Sequence, residues 1–229
     1  SRASPPQPVK ACPSLADLPW AEVCEESLDG FDAPPDDRYR VEAISGEGAA
    51  AYGEIPSESA ARLLRWLAPT PADVLFDLGC GTGKLCLQAI CTTSLGAAWG
   101  VELSAFRHAA AEASRAKLLA RAAPAAAAWL RERLTFLRDD FREVDLGAAT
   151  LVYAGATAYP DALLVGMAQN VARAPKLRAL VTTRPLPAEG AALFSERGRF
   201  RLPMSWSSQE RVTVYERRRQ LGAGSQPWS

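Results

Sequence analysis

From Ser57 the apolar positions repeat with a helical period: Ala60, Leu63, Leu64 and Leu67 fall on one face, and Glu58, Arg62 and Arg65 on the other. This predicts an amphipathic helix, ended by Pro69 and Pro71. The compact apolar run DVLFDL follows and reads as a buried strand, with a helix from about Gly83 to Thr92. AAWGVEL predicts a second strand and Ala105 to about Ala123 a long helix, broken by Pro124, with a short helical piece through Arg131. RLTFLRDD, TLVYAGA and RALVTTR supply strands three to five, and a helix around Asp161–Ala172 lies between the last two. Strand alternating with helix predicts parallel βαβ units joined by right-handed crossovers.

After Gly190 the period changes to two. RFRLPMSW puts Phe200, Leu202, Met204 and Trp206 on one face, and RVTVYERR does the same with Val212 and Val214, which predicts an antiparallel hairpin with a bulge or an edge position at Pro203. The sum is an α/β fold, five parallel strands plus a C-terminal antiparallel hairpin, similar to the seven-stranded sheet of Rossmann-like methyltransferases. Residues 1–53 read as an irregular N-terminal arm and cofactor-closing loop, with DAPPDD and SGEG as punctuation and at most short helices around 14–20 and 21–28. Residues 54–219 form the main domain, and 220–229 a disordered tail like the Ser/Pro-rich first ten residues.

Composition narrows the class without naming a partner. A chain of 229 residues suits one α/β core. Lys plus Arg and Asp plus Glu number 26 each, so no global field points to nucleic acid or an anionic membrane. No apolar run approaches the roughly 20 residues that span a bilayer, and SRASPPQPVK has no secretory apolar core, so an intracellular setting, nucleus or cytoplasm, is expected. The five cysteines form no CxxC and no Cys/His cluster, which predicts reduced thiols and no metal.

The chemistry starts where DVLFDL meets GCGTGK. A strand that turns directly into a helix needs torsions a side chain obstructs, and Gly79, Gly81 and Gly83 remove those side chains. A ligand then sits at the carboxyl end of the strand, against the helix N-terminus. A dinucleotide site uses GxGxxG to meet a pyrophosphate. Here the spacing is GxGxG, and Asp77 would repel a pyrophosphate while suiting the ammonium or sulfonium of S-adenosyl-L-methionine. At about 4 Å such a pair is worth on the order of 4 kcal/mol before desolvation at an effective dielectric of about 20. Glu102, about 20 residues beyond Gly83 at the end of the second strand, can accept both hydroxyls of a ribose. Asp140 and Phe141 end the third strand, where an acid can take the adenine amino group and an aromatic can cover the ring. The blander readings are a plain tight turn, a strand-end acid capping a helix, Cys80 as filler and His108 as a surface residue.

The segments YGEIPSESAARLLRWL, DVLFDLGCGTGKLCLQA, GVELS and RDDF together resemble the Dot1 family of histone H3 lysine methyltransferases, which is non-SET and seven-stranded. The likeness runs from Tyr52 to Arg217. It implies that Tyr52, Gly53 and Glu54 close over the methionine end of the cofactor, that Asp77, Gly79, Gly81 and Gly83 form the first cofactor motif, that Glu102 is the ribose acid, and that Asp140 with Phe141 forms the adenine pair. It also implies Trp206 near a lysine channel and a histone or nucleosome as partner. Two positions depart from the family. Where it has Asn-Asn-Phe after the fourth strand, this chain has Gly155, Ala156 and Thr157; the tyrosine of the last strand matches Tyr215 only with a shift, the ungapped position being Thr213.

A lysine acceptor must attack as the neutral amine, about one molecule in 2,500 at pH 7, and an apolar channel raises that share. Tyr52, Tyr159, Trp206 and Tyr215 are the candidate catalytic aromatics, able to line such a channel and attract cations. Arg197, Arg199, Arg201, Arg211, Arg217, Arg218 and Arg219 read either as a surface for nucleosomal DNA or as the solvated face of the hairpin. Two other readings stay open: a methyltransferase on a small molecule or non-histone protein, and a binding module that keeps the fold without catalysis.

Overall fold

The computed structural model describes residue 15 and residues 17–218, so the two chain ends read as disordered, Cys12 and Arg219 lie outside the described residues. Seven strands, β1 (Val74–Leu78), β2 (Ala97–Val101), β3 (Leu134–Leu137), β4 (Leu151–Ala154), β5 (Ala179–Thr182), β6 (Phe194–Met204) and β7 (Ser207–Arg217), form one sheet. Their order is β3-β2-β1-β4-β5-β7-β6. The first five are parallel, and β7 runs antiparallel to both β5 and β6. From β1 the chain works outward to β2 and β3, then restarts on the other side with β4. The crevice at the carboxyl ends of β1 and β4 is therefore a topological switch point, where doubly wound sheets bind ligands.

Each strand of the parallel part is apolar on both faces because helices cover both. Leu75 packs into the layer with α3 (Ser57–Leu67), α4 (Lys84–Thr92), α5 (Ala105–Arg121) and α6 (Pro124–Arg133). Phe76 and Leu78 pack into the other, with α7 (Asp161–Ala172). The exception in β1 is Asp77, a buried acid among apolar neighbours. The hairpin carries its bulge between Leu202 and Met204, across Pro203, and a second one between Glu196 and Gly198.

The N-terminal segment is more regular than the expected arm, although the short helix expected around 21–28 is present, starting at Trp20. It holds α1 (Trp20–Glu25), a single 3₁₀ turn over Gly30–Asp32 and an 11-residue helix, α2 (Pro35–Ser45). DAPPDD is thus a helix start rather than punctuation: Pro35 occupies the first turn, and Asp36 and Asp37 follow it, where acids suit the helix dipole. The helix shows no apolar stripe because Val41 is its one buried residue. No helix forms over the described part of 14–20 before Trp20.

α2 is fixed to the core through Asp37. Its carboxylate accepts from the Ser104 hydroxyl and, at 3.0 Å, from the Ala105 amide, while Ser104 itself caps α5 by accepting from the Arg107 amide. Orphan donors of the first turn of α5 are satisfied from another element. Arg142 makes the second tie, reaching the Ile44 carbonyl at 3.2 Å.

Candidate active site

The turn from β1 to α4 brings backbone to the crevice. Gly79, Gly81 and Gly83 all have positive φ, at 83°, 56° and 82°. Their free sides meet different things. A Cβ on Gly79 would strike the Tyr159 hydroxyl, one on Gly81 the Tyr52 ring, and one on Gly83 the Phe136 ring inside the core. Gly79 and Gly81 line the cleft; Gly83 does not, and instead lets α4 approach the sheet.

The cleft encloses about 860 Å³ of space with its open mouth included. Asp77 and Glu102, both buried, stand in its wall. Glu102 is anchored, accepting the Gly81 and Ser104 amides at 2.8 Å each, which leaves lone pairs on both oxygens. Asp77 accepts no hydrogen bond from the described residues. Loss of hydration, and then the Glu102 charge, push the Asp77 carboxyl up to about 8. Burial raises Glu102 as well. Two buried acids so destabilised as anions mark a place for a positive ligand.

Tyr52, Gly53 and Glu54 form the loop over this cleft. The Tyr52 hydroxyl donates to Glu54 at 2.7 Å and lies 3.2 Å from the Thr82 hydroxyl. Lys84 Nζ sits 2.8 Å from the Glu54 carboxylate, offsetting the cost of a lysine at the start of α4. The loop is zipped to the β6–β7 turn by Glu54 N–H to Ser205 Oγ at 2.8 Å and Ser205 N–H to Glu54 O at 3.0 Å.

Of the four candidate aromatics, three line the cleft. Tyr52 is one. Tyr159 stacks on Phe141 at 5.7 Å and points its hydroxyl to the Leu78 carbonyl at 3.4 Å. Trp206 lies in the hairpin turn rather than on a strand face, 38% exposed, so close to Gly53 that a side chain there would clash. Tyr215 does not line the cleft. It is a core residue packed on Phe194, its hydroxyl accepting the Leu186 amide at 3.1 Å. Thr213, beside Thr182 across the β5–β7 pair, is buried as well.

Phe141 and Leu103 line the cleft together with Val41 and Ser45 of α2. Asp140 does not line the cleft: Arg142 Nε holds its two oxygens at 2.9 and 3.0 Å. Sequence reasoning missed α2 and Arg107. Arg107, buried on α5, stacks 4.5 Å from the Tyr52 ring centroid and donates to the carbonyls of Gly30 at 3.1 Å and Ala50 at 2.9 Å. Nothing in AFRHAA marks that role, which depends on carbonyls far away in the chain. The turn signal in DAPPDD was readable for α2.

A family model described as histone methylation protein DOT1 matches residues 43–183, more than half of the chain. The chain belongs to the DOT1 family. No curated protein matches this DOT1-family chain in sequence. Among solved structures it is similar to a geranyl diphosphate C-methyltransferase from Streptomyces coelicolor A3(2), with 16% identity over 81% of this chain and 99% of that one at a TM-score of 0.55. It is also similar to an RNA methyltransferase from Salinibacter ruber, with 17% identity over 74% and 96% at 0.53. A third is the magnesium protoporphyrin IX methyltransferase of Synechocystis PCC 6803, with 16% identity over 82% and 96% at 0.53. These likenesses establish the Rossmann-like methyltransferase fold. The first two were crystallised with S-adenosyl-L-homocysteine, as was the third.

The matched region of the DOT1-family chain starts inside α2, and Arg107 ties the residues before it to the cleft. Replacing Arg107 by Met removes two hydrogen bonds to buried carbonyls and the stacked cation, about 2–4 kcal/mol in all. Hydrogen exchange checks this: amides over 30–52 are expected to exchange faster while those of β1 and β4 hold. The arginines of the hairpin are mostly committed within the chain. Arg199 pairs with Glu196 at 2.6 Å and Arg197 with Glu216 at 3.6 Å. Arg201 reaches the Gln209 carbonyl, and Arg217 and Arg218 reach carbonyls of Ala174 and Phe194. His108 is half-buried with a ring nitrogen 3.4 Å from the Phe136 carbonyl, and the cleft lining contains no histidine. Cys80 lines the cleft, and burial pushes its thiol well above the usual range, which disfavours the thiolate. Among the described residues no cluster suits a metal ion, and no helix is long and apolar enough to cross a membrane.

Proposed function

We propose that this chain is an S-adenosyl-L-methionine-dependent methyltransferase acting on a protein lysine, with a histone or nucleosome as its substrate. The observation that carries the cofactor half is the pair of buried acids, Asp77 and Glu102, raised as anions and facing a cleft at the switch point of the sheet. The bound cofactor supplies a methyl group on an electrophilic sulfonium. Asp77 holds its positive methionine end, Glu102 its ribose, and Phe141 with Leu103 its base. The glycine loop gives backbone contact, and Tyr52, Gly53 and Glu54 close the methionine side. No general base is required of the protein, whose task is to orient the two partners and exclude water.

The lysine half rests on the family and on the aromatic mouth. Trp206 and Tyr159 offer faces that attract the cation, roughly 0.5–2 kcal/mol each. Asp140, in its ion pair with Arg142, supports the adenine wall indirectly by bracing α2. A second reading, transfer to a small molecule, is favoured by Gly155, which leaves the acceptor side without the family asparagine. Radiolabelled methyl transfer tests both against nucleosomes, free histones and a cell lysate. Label on lysine of a protein is the expected result, and label confined to the small-molecule fraction would sink it.

A further inference from the structure

The acceptor side of the cleft carries a polar group that the family pattern does not explain. Asp77 and Tyr153 are register partners across the β1–β4 pair, so their side chains stand next to each other on one face, and both line the cleft. The Tyr153 hydroxyl has no hydrogen-bond partner among the described residues and yet is not sealed off, since Trp129 Nε1 and Thr213 Oγ1 are the buried polar atoms left without one. Its free valence faces the cavity. Gly155 stands beside it with open space: a Cβ there would meet nothing nearer than that hydroxyl, at 3.8 Å. Burial, and then the Asp77 charge, raise the phenol far above the ordinary tyrosine range, so it stays a neutral hydroxyl at any working pH.

On the solvent side of this spot is a carboxylate. Glu210 of β7 accepts from the Trp206 indole N–H at 3.1 Å and from the Thr157 hydroxyl at 3.3 Å, and Thr157 in turn meets Thr183 at 2.8 Å. Glu210 is near enough to act electrostatically on Tyr153. A line thus runs from the mouth (Glu210, Trp206) through an uncrowded gap at Gly155 to the Tyr153 hydroxyl beside Asp77.

We propose that Tyr153 is the acceptor-binding polar residue of this chain, its phenol oxygen receiving an N–H of the amine to be methylated, with Glu210 as the mouth carboxylate that draws a cationic side chain inward. This rests on the amine-acceptor reading above. A neutral phenol oxygen that accepts one N–H aims the amine's single lone pair, which is orientation rather than proton removal. The glycine at 155 and the tyrosine at 153 are complementary: the hydroxyl occupies space that a larger side chain at 155 would take.

Sinefungin tests the assignment without any acceptor, because it bears an amine in place of the cofactor methyl, whereas S-adenosyl-L-homocysteine bears nothing there. Calorimetry on the wild type is expected to show a preference for sinefungin, and Tyr153→Phe is expected to lower that preference about tenfold, one hydrogen bond's worth, with the unfolding midpoint and the S-adenosyl-L-homocysteine affinity kept. Adding Gly155→Asn to Tyr153→Phe is expected to restore part of the preference. With a lysine peptide, Glu210→Gln is expected to raise KM severalfold at little change in kcat. An unchanged preference in Tyr153→Phe overturns this inference and leaves the lysine reading intact. Methyl label found only on carbon or oxygen overturns the amine reading together with this inference.

Discussion

Asp77→Asn is expected to weaken S-adenosyl-L-methionine binding by about 30- to 100-fold, roughly 2–3 kcal/mol, the usual worth of a charge-assisted hydrogen bond to a buried partner. The same change is expected to stabilise the free protein at alkaline pH. In the folded chain loss of hydration, and then the Glu102 charge, bring the Asp77 carboxyl up to about 8, above its unfolded value of 3.8. The folded state therefore keeps a proton that the unfolded state has released, and stability falls as pH rises between those two values. Above about 8 both states are ionised and the slope vanishes. Asparagine resembles the protonated acid and removes that loss. Cofactor affinity runs the other way: a positive ligand needs the ionised acid, so affinity of the wild type rises with pH up to about 8, and binding at pH 7 releases a proton. Calorimetry in two buffers of different ionisation enthalpy reads that proton directly. Identical heats in both buffers, with affinity flat from pH 6 to 8, would place the ligand's positive end elsewhere.

Gly81→Ala is expected to cost about 2–4 kcal/mol and to lower the unfolding midpoint by roughly 5–10 °C. Two effects add. The residue sits at φ 56°, a left-handed conformation in which an L side chain costs about 1–2 kcal/mol. The new methyl also enters the Tyr52 ring, which is held by Glu54, Thr82 and the Arg107 guanidinium. Displacing that ring unseats the loop over the cleft, so cofactor affinity falls as well. Gly155→Ala is the control: its φ is not positive and its free side is open, so a change below about 0.5 kcal/mol is expected there. Equal midpoints for the two variants would show that Tyr52 does not bear on Gly81.

The order of strands and helices was legible because each parallel strand is a short apolar run, the helix over Ser57–Leu67 is strongly amphipathic, and prolines and turn residues mark the breaks between elements. The hairpin and its bulge were legible because period-two alternation interrupted by Pro203 has few other solutions. The arm was not. α2 buries almost nothing along its own length, so its helicity is written only in the start signal DAPPDD, and its position depends on Asp37 meeting Ser104 and Ala105 of a distant helix.

At the site the same division holds. Glycines and acids at strand ends are local features, and Asp77, Gly79, Gly81 and Glu102 stand where their spacing directs them because the strand-to-helix turn leaves one outlet. Aromatic candidates have no such constraint. Tyr215 alternates with residues that could face either layer, and only the pairing of β7 with β5 turns it toward Phe194 and away from the cleft. Tyr153 sits unmarked inside an apolar run, and only register sets it beside Asp77. By itself the sequence determined the fold and the acidic, glycine-lined floor of the cleft, since both follow from short-range pattern. Tertiary structure alone decided which tyrosines and arginines reach that cleft, because strand register and helix docking are long-range contacts that no local spacing encodes.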